Sequence, residues 1–480
     1  MIAGARRLRI DSGFVMPQST SPGASCFVPA HAPALPLHLV DTARFPAWRD
    51  AQPPRVRAWV EAHGFEGDAL SFLVLPGDDG APAAAVAGVS DPQDPVAIGH
   101  LPALLPALAF RIAADSPVAM AAGTALIGWG LGAYKFARYL KSVKPTARLA
   151  VDADAEPEAL AVLAASTLAR DLINTPTEHM GPDELEAEVQ ALASAHGAGF
   201  RCVRGAELLA QNLPAIHAVG RASHRAPRLI ELTHGDPAQP HLVIVGKGVC
   251  FDTGGLDVKP PDGMRNMKKD MGGAAHAIAL ARLVLERALP VRLTLLVPAV
   301  ENALGPDAYR PGEVIATRAG ISVEIDNTDA EGRVILCDAL TYASEQKPAL
   351  IMDFATLTGA ARIALGPDLP ALFCNRDELA QAYLDAGSAQ RDPLWRMPLW
   401  RPYLSYLKSG VADLANSGAS RMAGCVTAAL YLERFVPDAQ AWTHVDVYSW
   451  NDADRPGKPA GGEAQGLRAA WSFLKQRFGA

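Results

Sequence analysis

No run of apolar residues in this chain approaches the ~20 needed to cross a bilayer as a helix, so no membrane partner is expected. The N-terminus, MIAGARRLRIDSGFVMPQSTSPGASC, carries Arg6, Arg7 and Arg9 but lacks the apolar centre of a secretory signal. Residues 1–25 read as a disordered lead-in, with Met16 as an alternative start. Cysteine is scarce and scattered: Cys26, Cys202, Cys250, Cys337, Cys374 and Cys425 form no CxxC pair. That excludes a zinc ribbon and a disulfide frame, and it points to free thiols in the cytoplasm. Positive charge is in deficit, with 44 Lys and Arg against 51 Asp and Glu. The net charge of −7 leaves no footprint for nucleic acid as the main partner. No internal repeat is visible.

The chain does contain ample core. Its 480 residues are 49% hydrophobic and 20% charged, enough for two or three domains. Residues 26–150 mix strand-like "ALSFLVLP" and "AAAVAGV" with helical "LPALLPALAFRIAA", which predicts a small N-terminal α/β domain. Gly128, Gly130 and Gly132 in "GWGLGAYKF" match a dinucleotide loop only in part, and no acid follows at the needed spacing. Residues 151–180 read as a linker helix. Pro157 opens it, Leu160, Leu163, Leu168 and Leu172 supply its apolar face, and Pro176 stops it. A second helix runs from about Pro182 to His196 and ends at Gly197.

Over residues 181–480, buried-strand patterns alternate with helices: "HLVIVGKGV", "VRLTLLVPAV", "SVEI", "ALIMDFATL" and "WTHVDVYSW". Continuous apolar strands of this kind predict an α/β fold with a mixed, mostly parallel sheet sandwiched by helices. Reactive groups in such sheets gather at the carboxyl ends of strands.

Three segments concentrate charge there: "VGKGVCFDTGGLDVKP", "GMRNMKKDMGGAA" and "NTDAEGR". Each alone reads as an ordinary turn or helix start. Together they bring Asp252, Asp270, Asp329 and Glu331, with Lys247, Lys259 and Arg333. Gly332 disfavours helix, so the third segment is expected as an extended loop with the helix starting near Arg333. Alternation would then turn Asp329, Glu331 and Arg333 to one side. Grouped buried carboxylates repel and lose hydration unless a cation joins them. Four of them balance two divalent ions, as in a two-metal hydrolytic site.

These segments resemble the signature set of the leucyl aminopeptidase (cytosol aminopeptidase) metallopeptidase family. "NTDAEGR" matches the family signature over its whole length, and "DFATLTGA", "GVADLANSG" and "WTHVDVYSW" are companions in the family's order. The resemblance covers roughly residues 170–480; before that, only "GWGLGAYKFARYL" is recognisable.

The resemblance implies that Lys247, Asp252, Asp270 and Glu331 hold one metal tightly. It implies that Asp252, Asp329 and Glu331 hold a second, exchangeable one. Lys259 would stay protonated and polarise the scissile carbonyl. Arg333 would hold a bicarbonate general base, which fits three segments without a histidine. Met267, Asn327, Thr356, Leu357 and Gly359, together with Lys259, would surround the peptide substrate. The implied activity is release of leucine and other apolar N-terminal residues, by a cytoplasmic homohexamer. Oxygen ligands plus one amine do not choose among Mn²⁺, Zn²⁺, Mg²⁺ and Co²⁺.

His276 reads as a packing residue, and Lys268 and Lys269 as surface or structural charges. Asp257, Asp262, Asp326 and Asp353 have no assigned role. One departure is local: Tyr448 and Ser449 stand where the family commonly shows Ala and Gly. The rival readings are a two-metal phosphoesterase, or a regulatory or DNA-binding protein on the same fold.

Overall fold

The computed structural model describes residues 26–479. The expected lead-in and the alternative start at Met16 lie outside them.

The first sheet is small. Its order is Phe27–Val28, Arg148–Ala150, Ala109–Ile112, Leu35–Val40, Pro82–Gly88 and Phe72–Pro76. All neighbours are parallel except the last pair. The "LPALLPALAFRIAA" stretch departs from expectation. Only Leu101–Leu104 is helical, and Ala109–Ile112 is a strand. Pro106 lies between them, where its ring and missing N–H stop the helix.

The expected helix after Pro157 is present as Pro157–Asn174. The next runs Pro182–His196 and ends on Gly197 at a left-handed φ of 62°. The glycines of the helix Ala122–Ala133 serve packing. A Cβ on Gly128 would strike the Pro95 carbonyl, and one on Gly130 would strike the Leu163 side chain.

The second sheet carries the main core. Four parallel strands form its centre, in the order Trp442–Asp446, Leu350–Ala355, His241–Gly246 and Arg292–Asn302. Arg228–His234 and Gly199–Arg204 extend one side antiparallel. Ala371–Cys374 flanks the other side, also antiparallel. Strand alternation splits the apolar residues between two cores. Leu242 and Ile244 pack under the helices Pro157–Asn174 and Gly272–Glu286. Val243 and Val245 pack under the helix Glu331–Glu345. Burial on both faces explains why these strands read as unbroken apolar runs.

Register brings the carboxyl ends into line. Phe354 pairs with Gly246, Ala355 with Asp446, and Asp252 with Asn302. Everything that follows is built on this edge.

Candidate active site

Lys247 fills the break between the strands His241–Gly246 and Gly248–Asp252. Its Nζ lies 2.9 Å from Asp270 Oδ2 and 2.9 Å from Glu331 Oε1. It also donates to the Thr356 carbonyl at 2.8 Å. Lys259 reaches in from the loop after Asp252. Its Nζ is 2.8 Å from Asp252 Oδ2 and also pairs with Asp329 Oδ1. One carboxylate oxygen from each of Asp252, Asp329 and Glu331 lies within 4.8 Å of the others.

The loop geometry needs its glycines. Gly254 and Gly255 adopt φ of 88° and 66°, where a side chain is strained. The third segment differs from expectation. The helix begins at Glu331, so Gly332 lies inside its first turn and no extended alternation forms. A Cβ on Gly332 would stand 2.5 Å from Lys247 Cε. The missing side chain admits Lys247, and that close packing outweighs glycine's poor helix propensity. Arg333 therefore leaves the helix in another direction from Glu331. It makes no ion pair with the four acids; its Nη1 donates to the Asn416 carbonyl at 2.7 Å. Arg333 also lines a polar cavity of about 540 Å³ with Asn327, Asp257 and Arg421.

Burial sets the electrostatics. It pushes the Asp252 carboxyl far up, aided by Glu331 and Asp270. Asp270 is pushed up to about 6 by burial, against the pull of Lys247. Asp329 also rises by burial, against Lys259. Burial would raise Glu331 too, but Lys247 and Lys259 hold it below its ordinary value. For both lysines burial acts downward and the surrounding acids win, keeping them protonated in the metal-free protein. Four acids thus face two ammonium groups. The donor set fits added cations: Asp270 Oδ2 and Asp329 Oδ1 are buried without a hydrogen bond of good geometry, although each has a lysine beside it.

Residues 167–470 match the "Cytosol aminopeptidase family, catalytic domain", and residues 35–152 match the "M17 aminopeptidase, N-terminal domain". The chain belongs to the cytosol aminopeptidase family. A probable cytosol aminopeptidase of Syntrophotalea carbinolica is 44% identical over 313 residues, covering 64% of this chain and 63% of that relative. The crystal structure of the Coxiella burnetii cytosol aminopeptidase superposes with a TM-score of 0.91 at 48% identity, covering 94% of this chain and 99% of that one. The bottromycin maturation enzyme BotP, in complex with Mn, has a TM-score of 0.82 at 32% identity, covering 93% and 100%.

Within this family member the expected substrate residues are placed as follows. Thr356 Oγ1 lies 2.8 Å from Asp270 Oδ1. Leu357 donates its N–H to Asp446 Oδ1 at 2.9 Å. Gly359 opens the exposed helix Gly359–Leu365. Met267 opens the 3-10 turn Met267–Met271 that carries Asp270. The Asn327 side chain accepts from the Asp329 N–H, shaping its own loop.

Sequence reading missed the supports. Asn302 donates to Asp252 Oδ1 at 2.8 Å and to the Thr328 carbonyl at 3.0 Å. Its signal was a polar residue closing the apolar strand "VRLTLLVPAVEN". Asp257 accepts the Thr328 N–H, tying the loop after Asp252 to the loop that carries Asp329. Asp353 accepts from Trp442 Nε1 at 2.6 Å and contacts His444 Nδ1 at 2.5 Å. His276 is buried between the Gly272 and Gln465 carbonyls. Of the two readings for Lys268 and Lys269, surface or structural, the contacts fit the second: the half-buried Lys268 donates to the Asn174 carbonyl at 2.7 Å, and Lys269 is buried. Burial pulls the Lys269 ammonium down to about 8, against Asp270.

Proposed function

We propose that the protein is a two-metal aminopeptidase that releases N-terminal residues, leucine and other apolar ones among them, from peptides. The observation that carries this is the convergence of Asp252, Asp270, Asp329 and Glu331 on two lysines, at the sheet edge of a cytosol aminopeptidase family member. Lys247, Asp252, Asp270 and Glu331 would hold one ion, and Asp252, Asp329 and Glu331 the other. Bound there, two divalent ions would supply Lewis acidity and lower the pKa of water. Mn²⁺ and Zn²⁺ lead the candidates, with Mg²⁺ and Co²⁺ behind; the Mn complex of BotP favours the first.

The chain's own residues do the rest. Lys259, kept protonated by Asp252, donates toward the scissile carbonyl oxygen and stabilises the oxyanion. Arg333 would hold bicarbonate, the base this site lacks; its Nε is buried without a partner, and Nη1 is anchored on Asn416. Met267, Thr356, Leu357 and Gly359 surround the N-terminal residue, and Asn327 orders the Asp329 loop beside it. A cytoplasmic homohexamer is the expected assembly; exposed Ile363, Val411 and Met422 are apolar surface for such contacts.

The test is a metal-stripped enzyme, reloaded singly with each ion, assayed on aminoacyl amides. Hydrolysis is expected with at least one ion. Silence with all of them would sink the proposal.

A further inference from the structure

Lys269 is the anomaly beside the site. Lys247 and Lys259 each contact two carboxylates, and Lys268 has a carbonyl. Lys269 is 8% exposed, yet among the described residues its ammonium has no hydrogen-bond acceptor and no carboxylate within 4.0 Å. Its Nζ lies 4.9 Å from the centroid of the Tyr448 ring. A ring face attracts a cation but satisfies none of its three N–H donors. Solvent that reaches the ammonium, or a bound anion, must then supply its acceptors.

The surroundings repeat the pattern. Arg362 lies over the same ring, with Cζ 4.7 Å from the centroid, and has no carboxylate partner among the described residues. Its Nη1 donates to Tyr448 Oη at 2.9 Å, and Tyr448 in turn donates to Asp452 Oδ1 at 2.9 Å. Tyr448 is therefore fixed in place, at the position where the family commonly shows alanine. Two cations without acid partners flank it.

Their position is informative. Lys269 shares a 3-10 turn with Met267 and Asp270. Arg362 belongs to the helix that Gly359 opens, and it lines a small cavity with Thr358, Asp446 and Tyr448. Asp446 holds the Leu357 and Thr358 N–H groups. Lys269 thus lies on the segment that carries Met267, and Arg362 on the helix that Gly359 opens, the two segments assigned to the substrate's first residue. A tyrosine there also removes room that an alanine would leave for bulk.

We infer that Lys269 and Arg362, spaced by Tyr448, form an anion-binding wall of the substrate side-chain pocket, and that the enzyme also releases N-terminal glutamate and aspartate. This rests on the aminopeptidase reading. A glutamate brings two methylenes for the apolar part of the pocket and a carboxylate for Lys269.

The experiment compares kcat/KM on leucine and glutamate coumarylamides, with metal-loaded wild type, Lys269→Met and Lys269→Arg. Free L-glutamate and L-leucine are tested in parallel by thermal shift. Wild type is expected to cleave both amides. Lys269→Met should lower the glutamate-to-leucine ratio about tenfold or more, mainly through KM, and lose the glutamate thermal shift. Lys269→Arg should retain much of both. Cleavage of the leucine amide with rejection of glutamate, or an unchanged ratio in Lys269→Met, overturns the wall and leaves the aminopeptidase standing. If neither amide is cleaved, the aminopeptidase reading fails. The glutamate thermal shift then decides the wall alone: lost in Lys269→Met it supports the wall, and absent from wild type it overturns it.

Discussion

The two sheets bury different kinds of residue. In the first, Leu37, Leu39, Ala85, Ala87, Phe110 and Leu149 form an apolar core. Across residues 26–150, His100 is the one buried residue of polar type among those described, and burial lowers its pKa to about 4, which leaves it neutral. The second sheet buries many charges, in two ways. Away from the site they are matched: Arg170 pairs with Glu463, and Glu186 with Arg204 and Arg228. At the carboxyl edge four acids meet two lysines, and Lys269 has no carboxylate within 4.0 Å among the described residues. Burying a charge is costly unless it is paired, so matched charges serve the fold and unmatched ones anticipate something that binds.

The largest break in this contrast is Glu331→Ala. It removes a carboxylate shared by both proposed ions. The expected loss in kcat/KM is on the order of 10³-fold or more, ~4 kcal/mol of barrier. The melting temperature without metal should fall as well, because the buried Lys247 loses one of its two carboxylates. Divalent metal should raise the melting temperature of wild type and raise that of the variant less. Parallel melts with and without Mn²⁺ check both points. Next comes Gly332→Ala, whose methyl group would press on Lys247. Displacing that lysine is expected to cost about 10²-fold in activity with the fold intact. Normal activity would show that the close approach is incidental.

How much of this was legible follows from how local each signal is. The helix Pro157–Asn174 was readable because Pro157, its leucines and Pro176 are all close in sequence. The acids were readable as a group because charge balance demands partners wherever they lie. The helix start at Glu331 was misread because Gly332 answers to Lys247, 85 positions away in the numbering and invisible to propensity. Ala109–Ile112 was misread for a similar reason, since pairing with Leu35–Val40 decides its state. Asp257, Asp353 and Asn302 gained roles only when folding brought their donors near.

The same contrast predicts that damage to the first sheet leaves the chemistry alone. Gly128→Ala would set a methyl group against the Pro95 carbonyl. It should cost about 1–3 kcal/mol of stability in that domain. The expected signature is a lower first transition in a melt, with kcat per folded molecule unchanged. A large drop in kcat would break the separation between the two sheets.

The smallest effect tests the claim that matched charge serves the fold. Arg204 chiefly holds the Glu186 carboxyl down at about 2, from an ordinary 4.5; burial opposes it, and Arg228 and Cys202 assist. A depressed folded pKa gives stability that is present above the unfolded value and is lost as pH falls toward the folded one. Glu186→Gln should therefore melt below wild type at pH 7, and the gap should narrow from pH 4.5 to about 2. Arg204 is half exposed, which screens the pair, so the gap at neutral pH should be a few degrees at most. A gap that stays constant down to pH 2 would mean that Glu186 acts through packing, and the distinction between matched and unmatched charge would lose one of its structural cases.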